Sequence, residues 1–160
     1  MRRWCLGEND MGMPDIRTLV PHSGKMLLLD RVVSSDEESL VAEVTIRSDS
    51  LFCAHGGVGA WVGMEYMAQA IGAYIGYRAR LRGEPVKIGL LLGLRRYHCS
   101  CPIFALGSVL RVYVQCVFRG DDQMAAFECR IDDLEKPVAT ATITVFQPAN
   151  ANDFLKGITP

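Results

Sequence analysis

An α+β domain, in which about five to six antiparallel strands wrap one long helix, is the fold class that the sequence predicts. Three observations carry it. Only the stretch from Ala60 to about Arg82 has the length and composition of a long helix. Segments of strand length stand on both sides of it, two before and about four after, several with period-two alternation. Strands and helices do not alternate along the chain, which separates it from a doubly wound parallel sheet. With 160 residues, 49% of them hydrophobic, it is one ordinary domain able to bury its own core.

Residues 1–13 are polar, glycine-bearing and aperiodic, and read as a disordered leader in which Met11 and Met13 are alternative starts. The domain proper is expected over 14–147. Pro14-Asp15 opens a short helix, Ile16 to Val20, which Pro21 stops. Met26 to Val33 is an apolar run of strand length, followed by the polar turn Ser34 to Glu38. Leu40, Ala42, Val44 and Ile46 alternate with Val41, Glu43 and Thr45, so the two segments make a hairpin. Arg47 to Gly59 reads as a loop. The helix that follows is apolar nearly all round, yet Glu65 and Gln69 stand inside it and Arg78 interrupts it, which argues against a membrane span. After Gly83-Glu84-Pro85 come four strand segments: Val86 to Tyr97, Val109 to Arg119, Met124 to Ile131 and Val138 to Phe146. Gly120-Asp121-Asp122 and Glu135-Lys136-Pro137 are the turns between the last three. Residues 148–160 are an unpatterned tail.

Lys and Arg number 17 against 18 Asp and Glu, a net charge of −1, which lacks the basic footprint of a nucleic-acid binder. No basic-then-apolar leader opens the chain, and a core of this size needs no disulfides, so a cytoplasmic protein with reduced thiols is expected. No glycine-rich phosphate loop joins a strand to a helix. His98-Cys99-Ser100-Cys101 has no second cysteine pair to complete a zinc site, so no metal is expected and burial is the reading for both thiols.

The chemistry-bearing place is His55-Gly56-Gly57-Val58-Gly59-Ala60 with Glu65 just beyond. Histidine titrates near neutrality and can take or deliver a proton. Glycines let main chain approach a ligand, and a helix start offers unpaired N–H groups to a carbonyl oxygen. An ionised carboxylate is expensive inside an apolar helix, which suits Glu65 to act as an acid. The same residues also fit a loop histidine and a carboxylate paired with an arginine. Arg78, Arg80, Arg82, Arg95 and Arg96 fit either a docking patch for an acidic partner or a solvated helix end. Trp61, Tyr66, Tyr74 and Tyr77 read as core or interface packing.

The segments Ile16-Arg17-Thr18-Leu19-Val20-Pro21-His22 and Met26-Leu27-Leu28-Leu29-Asp30-Arg31-Val32 resemble the opening of the β-hydroxyacyl-acyl-carrier-protein dehydratases. Glu65-Tyr66-Met67-Ala68-Gln69-Ala70 resembles their central-helix motif, and Gly93 to Gly107 with Pro102 their later strand and loop. The form from Ala54 to Tyr74 is most similar to the branch associated with aryl polyene clusters. The resemblance, over about residues 15–147, implies the hotdog fold. It implies His55 and Glu65 as the catalytic pair, each facing the other across a dimer interface. The substrate implied is a 3-hydroxyacyl thioester on the phosphopantetheine arm of acyl carrier protein, with no cofactor of the enzyme's own. Gly57, Val58, Gly59, Ala60 and Trp61 would hold the thioester oxygen through main-chain N–H groups, and Gln69 completes the implied substrate-binding set. His22 matches a structural position, with a packing or hydrogen-bonding role. The chain departs from the family in one respect: a glycine run without proline follows His55, and Glu65 comes only ten positions later. A hotdog thioesterase, and a non-catalytic partner of a hotdog heterodimer, are the alternative readings.

Overall fold

The computed structural model describes residues 12–150 and 156–157; most of the expected leader, and most of the expected tail, lie outside the described residues. A 3₁₀ turn over Ile16–Thr18 opens the fold, capped by the Asp15 carboxylate, which accepts from the Arg17 N–H at 2.9 Å. A second covers Gly24–Met26. Then follow β1 (Arg31–Ser35), β2 (Ser39–Thr45), β3 (Cys53–Ala54) and β4 (Gly57–Gly59), and a 3₁₀ turn, Ala60–Val62, leads into α1 (Gly63–Leu81). The chain ends in β5 (Leu90–Cys99), β6 (Ile103–Ala105), β7 (Val109–Arg119), β8 (Met124–Asp133) and β9 (Lys136–Phe146).

Six strands form one antiparallel sheet in the order β1-β2-β7-β8-β9-β5, and β3-β4-β6 form a small second sheet. The inner strands contribute alternate residues to one buried face: Leu40, Ala42 and Val44 on β2, Leu110, Val112 and Val114 on β7, Phe127, Cys129 and Ile131 on β8. Register places like against like, with Ala42 opposite Val112 and Val112 opposite Ile131. On that face lies α1, whose Tyr66, Met67, Ala70, Ile71, Ala73 and Tyr74 are all buried. Sheet on one side and the Ile16–Val20 segment on another cover the helix, so its apolarity nearly all round is a consequence of being wrapped. Gly76 permits the second contact, since a Cβ there would lie 1.9 Å from the Leu19 carbonyl oxygen. Gly83, at φ +69°, closes the helix as the left-handed residue after its cap. One helix wrapped by a six-stranded antiparallel sheet is the hotdog arrangement.

The structure departs from expectation at several places: the strand expected over Val86 to Tyr97 runs over Leu90–Cys99, and the short helix expected over Ile16 to Val20 is the 3₁₀ turn Ile16–Thr18. The helix proper starts at Gly63 rather than Ala60. The run from Met26 to Val33 is strand only from Arg31, because the Met26 carbonyl and the Leu28 N–H are captured by the Gln69 side chain instead of a ladder. The expected loop from Arg47 to Gly59 contains a β-hairpin, β3–β4, to which β6 adds. No helix among the described residues is long and apolar enough to cross a membrane.

Candidate active site

Glu65 is in the first turn of α1. Its carboxylate accepts a hydrogen bond from the Gln69 amide at 2.9 Å, one helical turn on, and stands 3.6 Å from His22 Nε2. Gln69 is fixed in turn: its amide also donates to the Met26 carbonyl at 2.8 Å, and its oxygen accepts the Leu28 N–H at 2.9 Å. The segment that follows Pro21 is thereby tied to the helix through the two residues that hold Glu65. The Nδ1 of His22 is buried and without a hydrogen-bond partner. The Glu65 side chain itself is 43% exposed, so the expectation that the helix buries it is corrected. Position 65 faces away from the sheet, and its carboxylate is held from the side while remaining reachable.

Histidine 55 is placed by a turn. His55 and Gly56 are the two-residue loop between β3 and β4, with φ +53° and +90°, the pair of left-handed conformations that a tight hairpin with matched twist requires. Histidine is among the few side chains enriched in that region, and glycine adopts it freely. The imidazole is exposed at the hairpin tip, and no hydrogen bond or ion pair joins it to Glu65 within this chain.

Of the residues expected to hold a thioester oxygen, Gly57, Val58 and Gly59 form the middle strand of the small sheet, with Ala54, Cys53, Ala105, Phe104 and Ile103 as partners. The Ala60 N–H donates to the Pro102 carbonyl at 3.0 Å. The first N–H groups of a 3₁₀ turn have no acceptor within the turn, and after Ala60 the next in the turn Ala60–Val62 is that of Trp61. The Trp61 ring is 58% exposed and meets Phe52 edge-on with centroids 5.1 Å apart; it is surface, whereas Tyr66 and Tyr74 are core. Gln69, expected to bind substrate, is 0% exposed with its amide spent on three internal bonds, so that expectation is corrected: it supports Glu65.

The arginines do not form one cluster. Arg78 and Arg82 line a cavity at the C-terminal end of α1, while Arg95 and Arg96 lie exposed on the edge strand β5. Cys99 and Cys101 pack against the core with sulfurs 3.6 Å apart, and burial together with the Cys99 neighbour pushes the Cys101 thiol up to about 11. Among the described residues no three His, Cys, Asp or Glu side chains gather as metal ligands.

Sheet and helix define the class, a hotdog domain, and two comparisons place it among the dehydratases. Residues 14–156 match the ApeP-like family, described as ApeP dehydratase, and the chain belongs to that family. A chain of the dehydratase heterocomplex ApeI:P from Xenorhabdus doucetiae superposes with a TM-score of 0.86 at 28% identity, over 93% of this chain and 100% of that one. More distant likenesses share the fold. A hypothetical thioesterase with coenzyme A from Streptococcus pneumoniae has a TM-score of 0.59 at 17% identity, covering 74% of this chain and 84% of that one. The PaaI protein of E. coli, from a phenylacetic acid degradation operon, has 0.55 at 19%, covering 72% and 80%. Among curated proteins none matches.

Proposed function

We propose that the chain dehydrates 3-hydroxyacyl thioesters carried on the phosphopantetheine arm of an acyl carrier protein, giving trans-2-enoyl thioesters for fatty-acid or aryl polyene synthesis in the cytoplasm. The observation that carries this reading is Glu65: a carboxylate held by Gln69 and His22, yet open to a ligand. A histidine takes the proton from the carbon beside the thioester carbonyl, its electrons form the new double bond, and the C–O bond at the β carbon breaks. Glu65 gives its proton to the departing hydroxyl, which leaves as water. The Trp61 N–H stabilises the negative charge on the thioester oxygen. No cofactor has a part in these steps.

His55 supplies the base from a second hotdog subunit, identical or homologous. Two features support this. The imidazole stands at an exposed hairpin tip, unconnected to its own Glu65. Around that hairpin Phe52, Trp61, Ile103 and Leu106 are exposed apolar side chains, the kind of surface that a partner covers. The related ApeI:P complex pairs two different chains by its own description. The short His55–Glu65 segment favours a second reading, in which this chain supplies only one competent half-site to a heterodimer.

The test is the dehydration of a 3-hydroxyacyl thioester on carrier protein, followed by enoyl absorbance and by release of free thiol, for the chain alone and mixed with a homologous hotdog subunit. H55A and E65Q should each lower the enoyl rate by about 10²–10⁴-fold with the melting temperature retained. Loss in E65Q alone supports the half-site reading. Free thiol without enoyl would make it a thioesterase, and full activity in both variants would overturn the assignment.

A further inference from the structure

At the C-terminal end of α1, thirteen residues or about 20 Å along the axis from Glu65, the helix, the β7–β8 turn and the end of β9 enclose a cavity of about 310 Å³. Its wall carries Arg78, Arg82, Lys87 and Arg119, and its floor is apolar, with Ile75, Phe127 and Val145. Two of the four cations are engaged by Glu84, which pairs with Arg82 at 3.3 Å and with Lys87 at 3.8 Å. Among the described residues Arg78 and Arg119 have no carboxylate partner, and Asp121, which also lines the cavity, is in ion-pair contact with neither.

Only one of these two guanidiniums is bonded to a neighbouring hydroxyl. Arg119 donates to the Tyr74 oxygen at 2.9 Å, and Tyr74 donates onward to the Glu37 carbonyl at 2.8 Å. Arg78, one turn along α1 from Tyr74, also acts electrostatically on that hydroxyl, and its Nε is buried without a hydrogen-bond partner. Arg78, half-buried, and Arg119, exposed, line the same cavity, where like charges repel, and an unpaired buried donor such as the Arg78 Nε is costly. A bound oxyanion relieves both, since the planar guanidinium fork matches the two oxygens of a carboxylate or phosphate. The apolar floor fits a short hydrocarbon or aryl body below that head group, and the volume is at the small end for a ligand site.

We propose that this cavity binds a small organic oxyanion, a carboxylate or phosphate monoester with a short apolar body, at a site separate from the one around Glu65. The experiment is calorimetric titration of the full chain at low ionic strength with octanoate, hexyl phosphate, inorganic phosphate and octanol. Saturable binding of octanoate or hexyl phosphate near the millimolar range or tighter is expected, with inorganic phosphate and octanol each weaker by about tenfold for lack of one half of the ligand. Whichever amphiphile binds more tightly assigns the head group. R78Q, which leaves the Arg119–Tyr74–Glu37 chain intact, should weaken binding about tenfold, and R78Q/R119Q should abolish it. E65Q should leave it unchanged. Absence of saturable binding by both amphiphilic anions, equal affinity in R78Q/R119Q, weakening by E65Q, or octanol binding as tightly as octanoate would overturn the proposal. So would capture of an acidic carrier protein at these arginines without binding of either anion.

Discussion

Replacing Gln69 with leucine tests how Glu65 is held. The side chain is 0% exposed and makes three bonds: to the Leu28 N–H, the Met26 carbonyl and the Glu65 carboxylate. Leucine of similar size removes all three. The Leu28 N–H, half-buried, is left without an acceptor at about 1–3 kcal/mol. Met26 is exposed, so its carbonyl finds water and only the net worth of a bond, about 1 kcal/mol, is lost. Added apolar burial offsets less than about 1 kcal/mol. A net loss of about 2–3 kcal/mol lowers the melting temperature by roughly 5–10 °C in a chain of this length. Circular dichroism melts measure it, and the dehydration rate should fall at least about tenfold as Glu65 loses its orienting donor. A second variant sharpens the test. Q69E keeps the acceptor for Leu28 but sets two carboxylates four residues apart on one helix face. Its stability should rise as pH falls through the carboxylate range, because the protonated form regains a donor and loses the repulsion. A Q69L melt within about 2 °C of wild type, or a Q69E stability that does not change with pH relative to wild type, would refute the reasoning.

Three further outcomes are expected. G72A and G76A, one turn apart on α1, should have opposite signs. A Cβ at Gly72 makes ordinary contact with Val20 at 3.8 Å, so the helix gains about 0.5–1 kcal/mol, whereas a Cβ at Gly76 meets the Leu19 carbonyl at 1.9 Å and costs about 2 kcal/mol or more by thermal melting. Burial raises the Tyr66 hydroxyl to about 12, so the native state keeps a proton that the unfolded chain releases near pH 10. Stability from this source is complete below pH 10 and falls as pH rises towards 12, and Y66F should flatten that fall in melts taken across the range. Cys101, raised to about 11, should react with iodoacetamide at pH 8 about a hundredfold more slowly than an unperturbed thiol, measured by peptide mass spectrometry; reaction at the ordinary rate would contradict its burial.

Segments β7, β8 and β9 were legible because each buries every second residue against one helix, so the pattern in sequence and the pattern in space are the same. The helix was legible for the complementary reason: wrapped nearly all round, it could be apolar nearly all round. β3, β4 and β6 left no such trace. Strands of two or three residues, one of them Gly57-Val58-Gly59, are too short to show a period. The available signal was the His55-Gly56 pair as a two-residue hairpin turn. Glu65 was visible as a carboxylate in an apolar helix, but the side of α1 left uncovered depends on where the sheet ends. The role of Gln69 leaves no local trace, because its partners, Met26 and Leu28, lie more than forty residues earlier. A hydrogen-bonding role for His22 is legible, yet nothing local names Glu65 as its neighbour.

The proposed acid and the proposed base are supported in different ways, and the difference has a physical basis. A carboxylate on an exposed side of a helix has many wrong rotamers, so it requires partners to hold it in one. Gln69 and His22 provide them, and both belong to the part of the molecule where the N-terminal segment meets α1. A histidine at a tight turn requires no side-chain partner, because backbone geometry alone places it: the left-handed pair at His55 and Gly56 aims the imidazole out of the small sheet. What that turn does require is a close strand partner. Gly57 supplies the room for it, since a Cβ there would lie 2.1 Å from the Phe104 carbonyl of β6. G57A should therefore displace the hairpin and lower the dehydration rate while Glu65 keeps its bonds, and Q69L should do the reverse. Crystal structures of the two variants, read at His55 and at Glu65, would separate the supports of one site; movement of both residues in either variant would show a single coupled unit instead.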